Sequence, residues 1–427
     1  MKNIFTGKAP VLLTLCFLWC LQTADAQERI KILNYNVLNY PSEDFPDFRA
    51  DTLRKIFTYY KPDLFLMQEL KAASALTDFT STAFNESETD NYLAGTWLPQ
   101  QSAPWSSWKL QQNVIYNADK LTLLSETFVQ TNVRDHNVFR FMVNDPNIAS
   151  HNDTTVVYAV SIHLKSSQGS SNEQSRFAMA EFLMDYLETL EPGASIVLGG
   201  DFNLYSASEP AYQHLTEPHE NDLQLHDPIN AEGNWHNSSM FSDVHTQSTR
   251  SSQLNGDGAG GGMDDRFDFV LLSSPLMEQD HRVHYVEGSY ENLGNTGNCF
   301  NQSILSCTGS EVDPALTGAL FQMSDHLPVK LEIDVELPLT TRSDDYLAEG
   351  EGFKGANAVR ERLELTLPSS ARPGSAYQVI NTLGNPLIGG TLSDPNRLSV
   401  DVSRLPAGWY LLHVPDLRLK PFRFLKI

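Results

Sequence analysis

Residues able to do acid–base or metal chemistry recur at the ends of short apolar runs in this chain. Asn36 closes Arg29-Ile30-Lys31-Ile32-Leu33-Asn34-Tyr35-Asn36, and Glu69 follows the next run in Met67-Gln68-Glu69-Leu70. His163 and Lys165 end a third run in Ser161-Ile162-His163-Leu164-Lys165-Ser166, and Asp201 and Asn203 end a fourth in Leu198-Gly199-Gly200-Asp201-Phe202-Asn203. Asp268 lies in Asp265-Arg266-Phe267-Asp268-Phe269-Val270, and Asp325-His326 precede the last run in Ser324-Asp325-His326-Leu327-Pro328-Val329. A carboxylate-rich cleft can hold a divalent cation, and the cation supplies the positive charge that a phosphate needs. Taken singly, each residue has a plainer reading. A strand-end Asp or Asn is commonly a turn residue, a Glu after a strand is commonly solvated, and a lone His is commonly structural.

The elements that must position these groups read as mixed α/β. Residues 29–36 alternate like a strand, Ala50 to Tyr60 reads as a helix, and Asp63 to Met67 returns as a buried strand. The spacing predicts a helix over Ser175 to Leu190, with Phe177, Ala180, Leu183, Met184 and Leu187 on one face, Asn172 or Ser175 as its cap, and Pro192-Gly193 ending it. Further strand signals fall at Thr155 to Ile162, Ser195 to Leu198, Phe267 to Leu272 and Val329 to Val335. Open α/β sheets place their sites at strand ends, where the polar residues lie. Asn255 to Gly262 reads as a flexible loop without the spacing or terminal Glu of a calcium-binding EF-hand.

In this order the motifs resemble the endonuclease/exonuclease/phosphatase family, whose members include deoxyribonuclease I, abasic-site endonucleases, sphingomyelinases and inositol-polyphosphate phosphatases. The likeness rests on Asn36, Gln68-Glu69, His163, Gly200-Asp201-Phe202-Asn203, Asp268 and Ser324-Asp325-His326, and runs from about Arg29 to Asp334. It implies an α/β four-layer sandwich of two packed β-sheets flanked by helices, and metal-dependent attack of water on a phosphoester. It implies that Asn36, Glu69 and Asp325 hold Mg²⁺ or Mn²⁺, with Ca²⁺ as a candidate structural ion. Asp201 would deprotonate the attacking water and Asn203 would position a phosphate oxygen. His326 would donate to the phosphate, with Asp268 fixing its tautomer, and His163 would serve the leaving oxygen. Arg134, in Val133-Arg134-Asp135-His136-Asn137-Val138-Phe139-Arg140, resembles a deoxyribonuclease I segment whose first Arg contacts phosphate, and Lys165 could do the same. A surface salt bridge is the plainer reading of both. Two departures stand out: abasic-site enzymes carry an Asp where this chain has Leu38, and the Glu that orients the second His has no clear counterpart, since residues 109–113 offer amides.

The remainder concerns destination. Lys2 and Lys8, the apolar run Val11 to Trp19 and Ala24-Asp25-Ala26 compose a cleavable signal peptide, too short to span a membrane comfortably. Of the four cysteines, Cys299 and Cys307 would then remain, and outside the cytosol they are expected to pair. Residues 337–357 read as a linker, and 358–427 as a small all-β sandwich. Its Val379-Ile380-Asn381-Thr382-Leu383-Gly384, Leu405-Pro406-Ala407-Gly408-Trp409-Tyr410 and basic end resemble the sorting domain of type IX secretion in Bacteroidota. The expected organisation is a signal over 1–26, a catalytic domain over 27–336, the linker and the sorting domain. With 30 Lys+Arg against 53 Asp+Glu the net charge is -23, which disfavours non-specific capture of nucleic acid or anionic membrane. These features lead to a secreted or cell-surface monomer without stable membrane insertion, acting as an endonuclease on extracellular DNA or RNA and exported by type IX machinery. A sphingomyelinase or phosphoinositide-type phosphohydrolase is the alternative; it would need an exposed apolar element, for which Trp97, Trp105 and Trp108 are the nearest candidates. A non-catalytic surface-binding protein is the alternative of another class.

Overall fold

The computed structural model describes residues 26–42, 48–103, 109–146, 148, 153–307, 312–337, 353–355, 357–368, 371–381, 385–414 and 421–427. The signal segment through residue 25, most of the expected linker, Trp105, Trp108, the Thr382-Leu383-Gly384 end of the sorting motif and Lys420 lie outside them. Thirteen strands of the large unit are β1 (Ala26–Tyr40), β2 (Leu64–Leu70), β3 (Tyr92–Ala94), β4 (Gln111–Asn117), β5 (Leu121–Val129), β6 (His136–Val143), β7 (Val156–His163), β8 (Ile196–Asp201), β9 (Leu225–His226), β10 (Asp268–Ser273), β11 (Val283–Tyr285), β12 (Glu291–Asn292) and β13 (Val329–Leu337). They form two sheets of order β11-β13-β1-β2-β4-β3, with β12 also on β13, and β5-β6-β7-β8-β10-β9. Each sheet has one parallel pair near its middle, β1 with β2 and β7 with β8, and its other pairings are antiparallel.

Side-chain alternation explains the layers. Ile30, Ile32, Leu64 and Leu66 of the first sheet pack between the sheets against Val157, Ala159, Val197 and Val270 of the second. The opposite faces carry Leu33, Tyr35, Phe65 and Met67 under the helices Arg49–Tyr60 and Pro314–Met323, and Tyr158, Val160, Ile162 and Leu198 under Ser170–Leu187 and Pro210–Thr216. The result is the expected four-layer sandwich. Cys299 and Cys307 are disulfide-bonded, with Cα atoms 4.9 Å apart.

Several elements differ from expectation. The long helix starts at Ser170, five residues before Ser175, and neither proposed cap acts. Gly169 precedes it, Asn172 Nδ2 donates to Gln168 O, and Ser175 Oγ donates back to Ser171 O. Its buried face is Arg176, Met179, Ala180, Leu183, Met184 and Leu187, so Arg176 and Met179 take the place foreseen for half-buried Phe177. A buried Arg is invisible to apolar periodicity; here Glu209 pairs with it at 2.7 Å. Lys354–Gly355, within the expected linker, pairs as a strand with Arg362–Thr366. Beyond it a three-stranded and a five-stranded sheet enclose Leu363, Val379, Val400, Leu412 and Phe424, and the strand Pro386–Thr391 joins those foreseen. No helix among the described residues is long and apolar enough to cross a membrane.

His136 opens β6 fully buried, its Nε2 3.1 Å from the Met179 carbonyl. Burial pushes the ring down from 6.5 to about 4. Between those values the unfolded chain takes up a proton that the folded chain refuses, so stability that is complete above pH 6.5 falls as the pH drops toward 4. The loss is about 3 kcal/mol from this residue. Urea unfolding at pH 7 and pH 4 should show that His136→Gln reduces the difference between the two stabilities by about 2–3 kcal/mol; an unaltered difference would contradict the assignment.

Candidate active site

Along the five central strands, the face turned to the opposite sheet changes from apolar to polar toward one edge. Ile30 and Ile32 give way to Asn34 and Asn36, and Leu64 and Leu66 to Gln68. Val157 and Ala159 are followed by Ser161 and His163, Val197 by Gly199 and Asp201, and Asp268 precedes Val270. A period of two therefore brings residues far apart in sequence onto one interface. The polar layer is tied across the sheets: Asn34 Nδ2 donates to Gly200 O (3.1 Å), and Gln68 Nε2 donates to Asn34 Oδ1 (2.8 Å) and Ser161 Oγ (2.9 Å). Ser161 Oγ donates in turn to Met67 O at 3.2 Å. The two glycines permit this approach. A Cβ on Gly199 would lie 2.7 Å from Leu66 Cδ1, and one on Gly200 would lie 2.3 Å from Ile162 O.

Glu69 does not share that alternation. A bulge against β4 between Met67 and Leu70, with Glu69 at φ 64°, turns its carboxylate into the site. Asn36 Nδ2 donates to Glu69 Oε1 (3.0 Å) and to Asp201 Oδ2 (2.9 Å), while the Asn36 oxygen accepts from Leu38 N. Asn39 N donates to the other Glu69 oxygen. Burial raises the Glu69 carboxyl above its usual range and nearby Asp325 adds to the rise. Asp325 Oδ2 accepts from Ala259 N (2.6 Å) and Gln247 Nε2 (3.1 Å).

The two expected histidines are driven in opposite directions. Burial alone would depress His326, but the carboxylates of Asp268, Asp201 and Asp325 outweigh it and hold the ring well above its ordinary value. Its Nδ1 lies 2.7 Å from Asp268 Oδ2 and its Nε2 3.7 Å from Asp201 Oδ2. His163 Nε2 lies 3.5 Å from Asp201 Oδ2 and 3.9 Å from Glu69 Oε1. Burial, with Arg134 beside it, keeps His163 well below its ordinary value and neutral. Its buried Nδ1 finds no partner among the described residues, so none of the amides at residues 111–113 takes the orienting role. Asp201 is itself raised by burial, an effect that the charge of His326 opposes.

Arg134 is not a surface salt bridge. Its Nη1 donates to Leu164 O (2.8 Å) and His163 O (3.3 Å), and Glu69 and Asp201 support its charge against the effect of burial. Half-buried Lys165 donates from Nζ to Ser166 O, and Arg134 and Arg176 add to the effect of burial in lowering its affinity for a proton. Asn203, at φ 51°, donates its backbone N–H to Asp201 Oδ1 and its Nδ2 to Leu164 O. Two features escaped the sequence reading. Gln247 Nε2 donates to Asp325 Oδ2 and lies 2.6 Å from His326 Nε2, and the glycine-rich loop packs against the site through Ala259 and through Asp257, which accepts from Asn39 Nδ2. Neither lies in an alternating run that would mark it.

The donor set suits a hard divalent cation. Ligand atoms of Glu69, His163 and Asp201 lie within 4.8 Å of one another, and Asp325 is close enough to raise Glu69. Glu69 and Asp201, both raised by burial, carry negative charge that a cation would relieve. With its nitrogen donating to both carboxylates and its oxygen accepting from Leu38 N, Asn36 orients Glu69 and Asp201.

The sequence pattern of the endonuclease/exonuclease/phosphatase family matches residues 33–326. The chain belongs to this family. It is a metal-dependent phosphoester hydrolase. Similar solved structures include the endonuclease/exonuclease/phosphatase from Bacteroides vulgatus (15% identity, 72% of this chain and 100% of that one, TM-score 0.46). The human Nocturnin catalytic domain with bound sulfate gives 13%, 72%, 95% and 0.45, and D. rerio TDP2 complexed with single-strand DNA product gives 14%, 71%, 98% and 0.45. No curated protein matches the chain.

Proposed function

We propose that this member of the family is a secreted phosphodiesterase that cleaves nucleic acid. One atom carries the chemical part of the reading: Asp201 Oδ2 has Asn36 Nδ2 at 2.9 Å, His163 Nε2 at 3.5 Å and His326 Nε2 at 3.7 Å around it. A carboxylate so placed, made more basic by burial, takes the proton of the attacking water. His326, held cationic by Asp268, donates from Nε2 to a phosphate oxygen as charge accumulates. Neutral His163 hydrogen-bonds the leaving oxygen, and Asn203 and Arg134 fix non-bridging oxygens. Glu69 and Asp325 would hold a divalent cation, Mg²⁺ or Mn²⁺, whose chemistry when bound is to polarise a phosphate oxygen. Arg134, near enough to Glu69 and Asp201 for their charge to support its own, supports a nucleic-acid substrate by placing a cation beside the site, where it can meet a backbone phosphate. Trp97 packs partly against the core and so gives little support to the membrane-lipid alternative.

Export by type IX machinery is the second part of the proposal. It rests on Leu405-Pro406-Ala407-Gly408-Trp409-Tyr410, which leads into the strand Gly408–His413, and on the compact C-terminal sheets. In a Bacteroidota host, removal of residues 358–427 should leave the protein inside the cell envelope; release into the medium without them would contradict the sorting role.

On plasmid DNA and RNA with Mg²⁺ or Mn²⁺, Asp201→Asn should lower kcat by about 10²–10⁴-fold and His326→Ala by about 10²–10³-fold, each variant still unfolding cooperatively. EDTA should abolish turnover. A near-normal rate for Asp201→Asn would remove it as the base, and hydrolysis of sphingomyelin or inositol phosphates without nucleic acid would overturn the substrate.

A further inference from the structure

Beside the site, a cavity of about 370 Å³ opens between Gly169, at the start of the long helix, the loop after Asp201 and the segment Asn234–His236. That volume falls in the range of about 300–1,000 Å³ typical of small-molecule sites. Gln168, Glu173, Tyr205, Ser208, Asn234 and His236 are among its lining residues. The wall is built rather than incidental. Trp235 is fully buried, its Nε1 donates to Ala231 O at 2.7 Å, and its ring meets Tyr212 and Phe269 edge-on at 5.4 and 5.1 Å. The backbone N–H groups of Trp235 and His236 both donate to Tyr205 O, and Ser206 bridges to Asn234. His236 Nδ1 lies 2.7 Å from Asp265 Oδ1, and its ring meets Tyr205 edge-on at 5.2 Å. Held by Asp265 and the Tyr205 ring, the imidazole leaves Nε2 without a hydrogen bond to the described residues.

This wall is continuous with the reacting centre. The Asp265 backbone pairs with Gln247, whose side chain reaches both Asp325 and His326, and Tyr205 follows Asp201 by four residues on one loop. The chemistry of the lining argues against another phosphate. Among the described residues no Lys or Arg lines the cavity, two carboxylates, Glu173 and Glu209, do, and adjacent Arg176 is occupied by Glu209. The lining offers these acceptors together with amide, hydroxyl and imidazole groups beside one aromatic ring, which suits a hydroxyl-bearing ring.

We propose that the cavity receives the sugar joined to the scissile phosphate, with His236 Nε2 and the Asn234 amide bonding its hydroxyl groups. The proposal rests on the phosphodiesterase reading above and makes His236 a specificity-determining residue. Isothermal titration of the full chain with Mg²⁺ tests it, using uridine 5′-monophosphate and inorganic phosphate as probes. The wild type should bind the nucleotide about tenfold more tightly than phosphate, an increment within the range of one or two good hydrogen bonds. His236→Ala should bring that ratio close to one, and so should Ser208→Trp, which fills the cavity from an exposed position. Equal affinity for the two probes in the wild type, or an unchanged ratio in both variants, overturns the proposal. The titration needs no turnover: a protein that prefers the nucleotide through His236 yet cleaves no nucleic acid supports this cavity while overturning the substrate assigned to the site.

Discussion

The hydrogen bonds from Gln68 to Asn34 and Ser161, with that from Asn34 to Gly200, are the constraint on which the rest of the site depends. Two sheets packed through Ile, Leu and Val side chains alone could slide, because apolar burial is non-directional. A buried polar layer can be satisfied in few registers, and leaving one of its groups unpaired costs about 1–3 kcal/mol. Here the register that makes these bonds sets Asn36 and Glu69 of one sheet beside His163 and Asp201 of the other. The side chains absent from Gly199 and Gly200 are as necessary as those present, since a Cβ at either position would strike its neighbours.

Once the register is fixed, electrostatics divides the labour. Glu69, Asp201, Asp268 and Asp325 lie close together, each in different company. Asp268 is spent on His326, which keeps that ring cationic, while His163 faces Arg134 and stays neutral. Two imidazoles on one carboxylate, pushed to opposite sides of neutrality, form the kind of pair in which acid and base roles separate. The overall charge of -23 also takes a more specific meaning. Across the surface it weakens long-range attraction for polyanions; within the site, acidity is the means of holding the cation that phosphate requires.

Much of this was legible in the sequence because the fold uses the simplest periodicity. Alternation in Ile30-Lys31-Ile32-Leu33-Asn34 and its counterparts identifies strands, and polar residues at their ends, in order, identify the family. The unread parts have physical reasons. Glu69 reaches the site only through a bulge and a left-handed backbone, which no alternation announces. The orientation of Asn36 is decided by Leu38 N and two distant carboxylates, and Gln247 acts from a segment with no regular period. The early start of the long helix was hidden for the same kind of reason, since Arg176 belongs to its core face only because Glu209 meets it there.

The inter-sheet polar layer sets the geometry of the reacting groups. Gln68→Met keeps the length of the side chain and removes both donated hydrogen bonds while substituting none of the reacting residues. The most direct measurement is kcat/KM of this variant on DNA under conditions where it remains folded. A loss of at least about tenfold is expected, since displacements of about 1 Å cost up to about 10²-fold. A folded variant with the wild-type kcat/KM would contradict it.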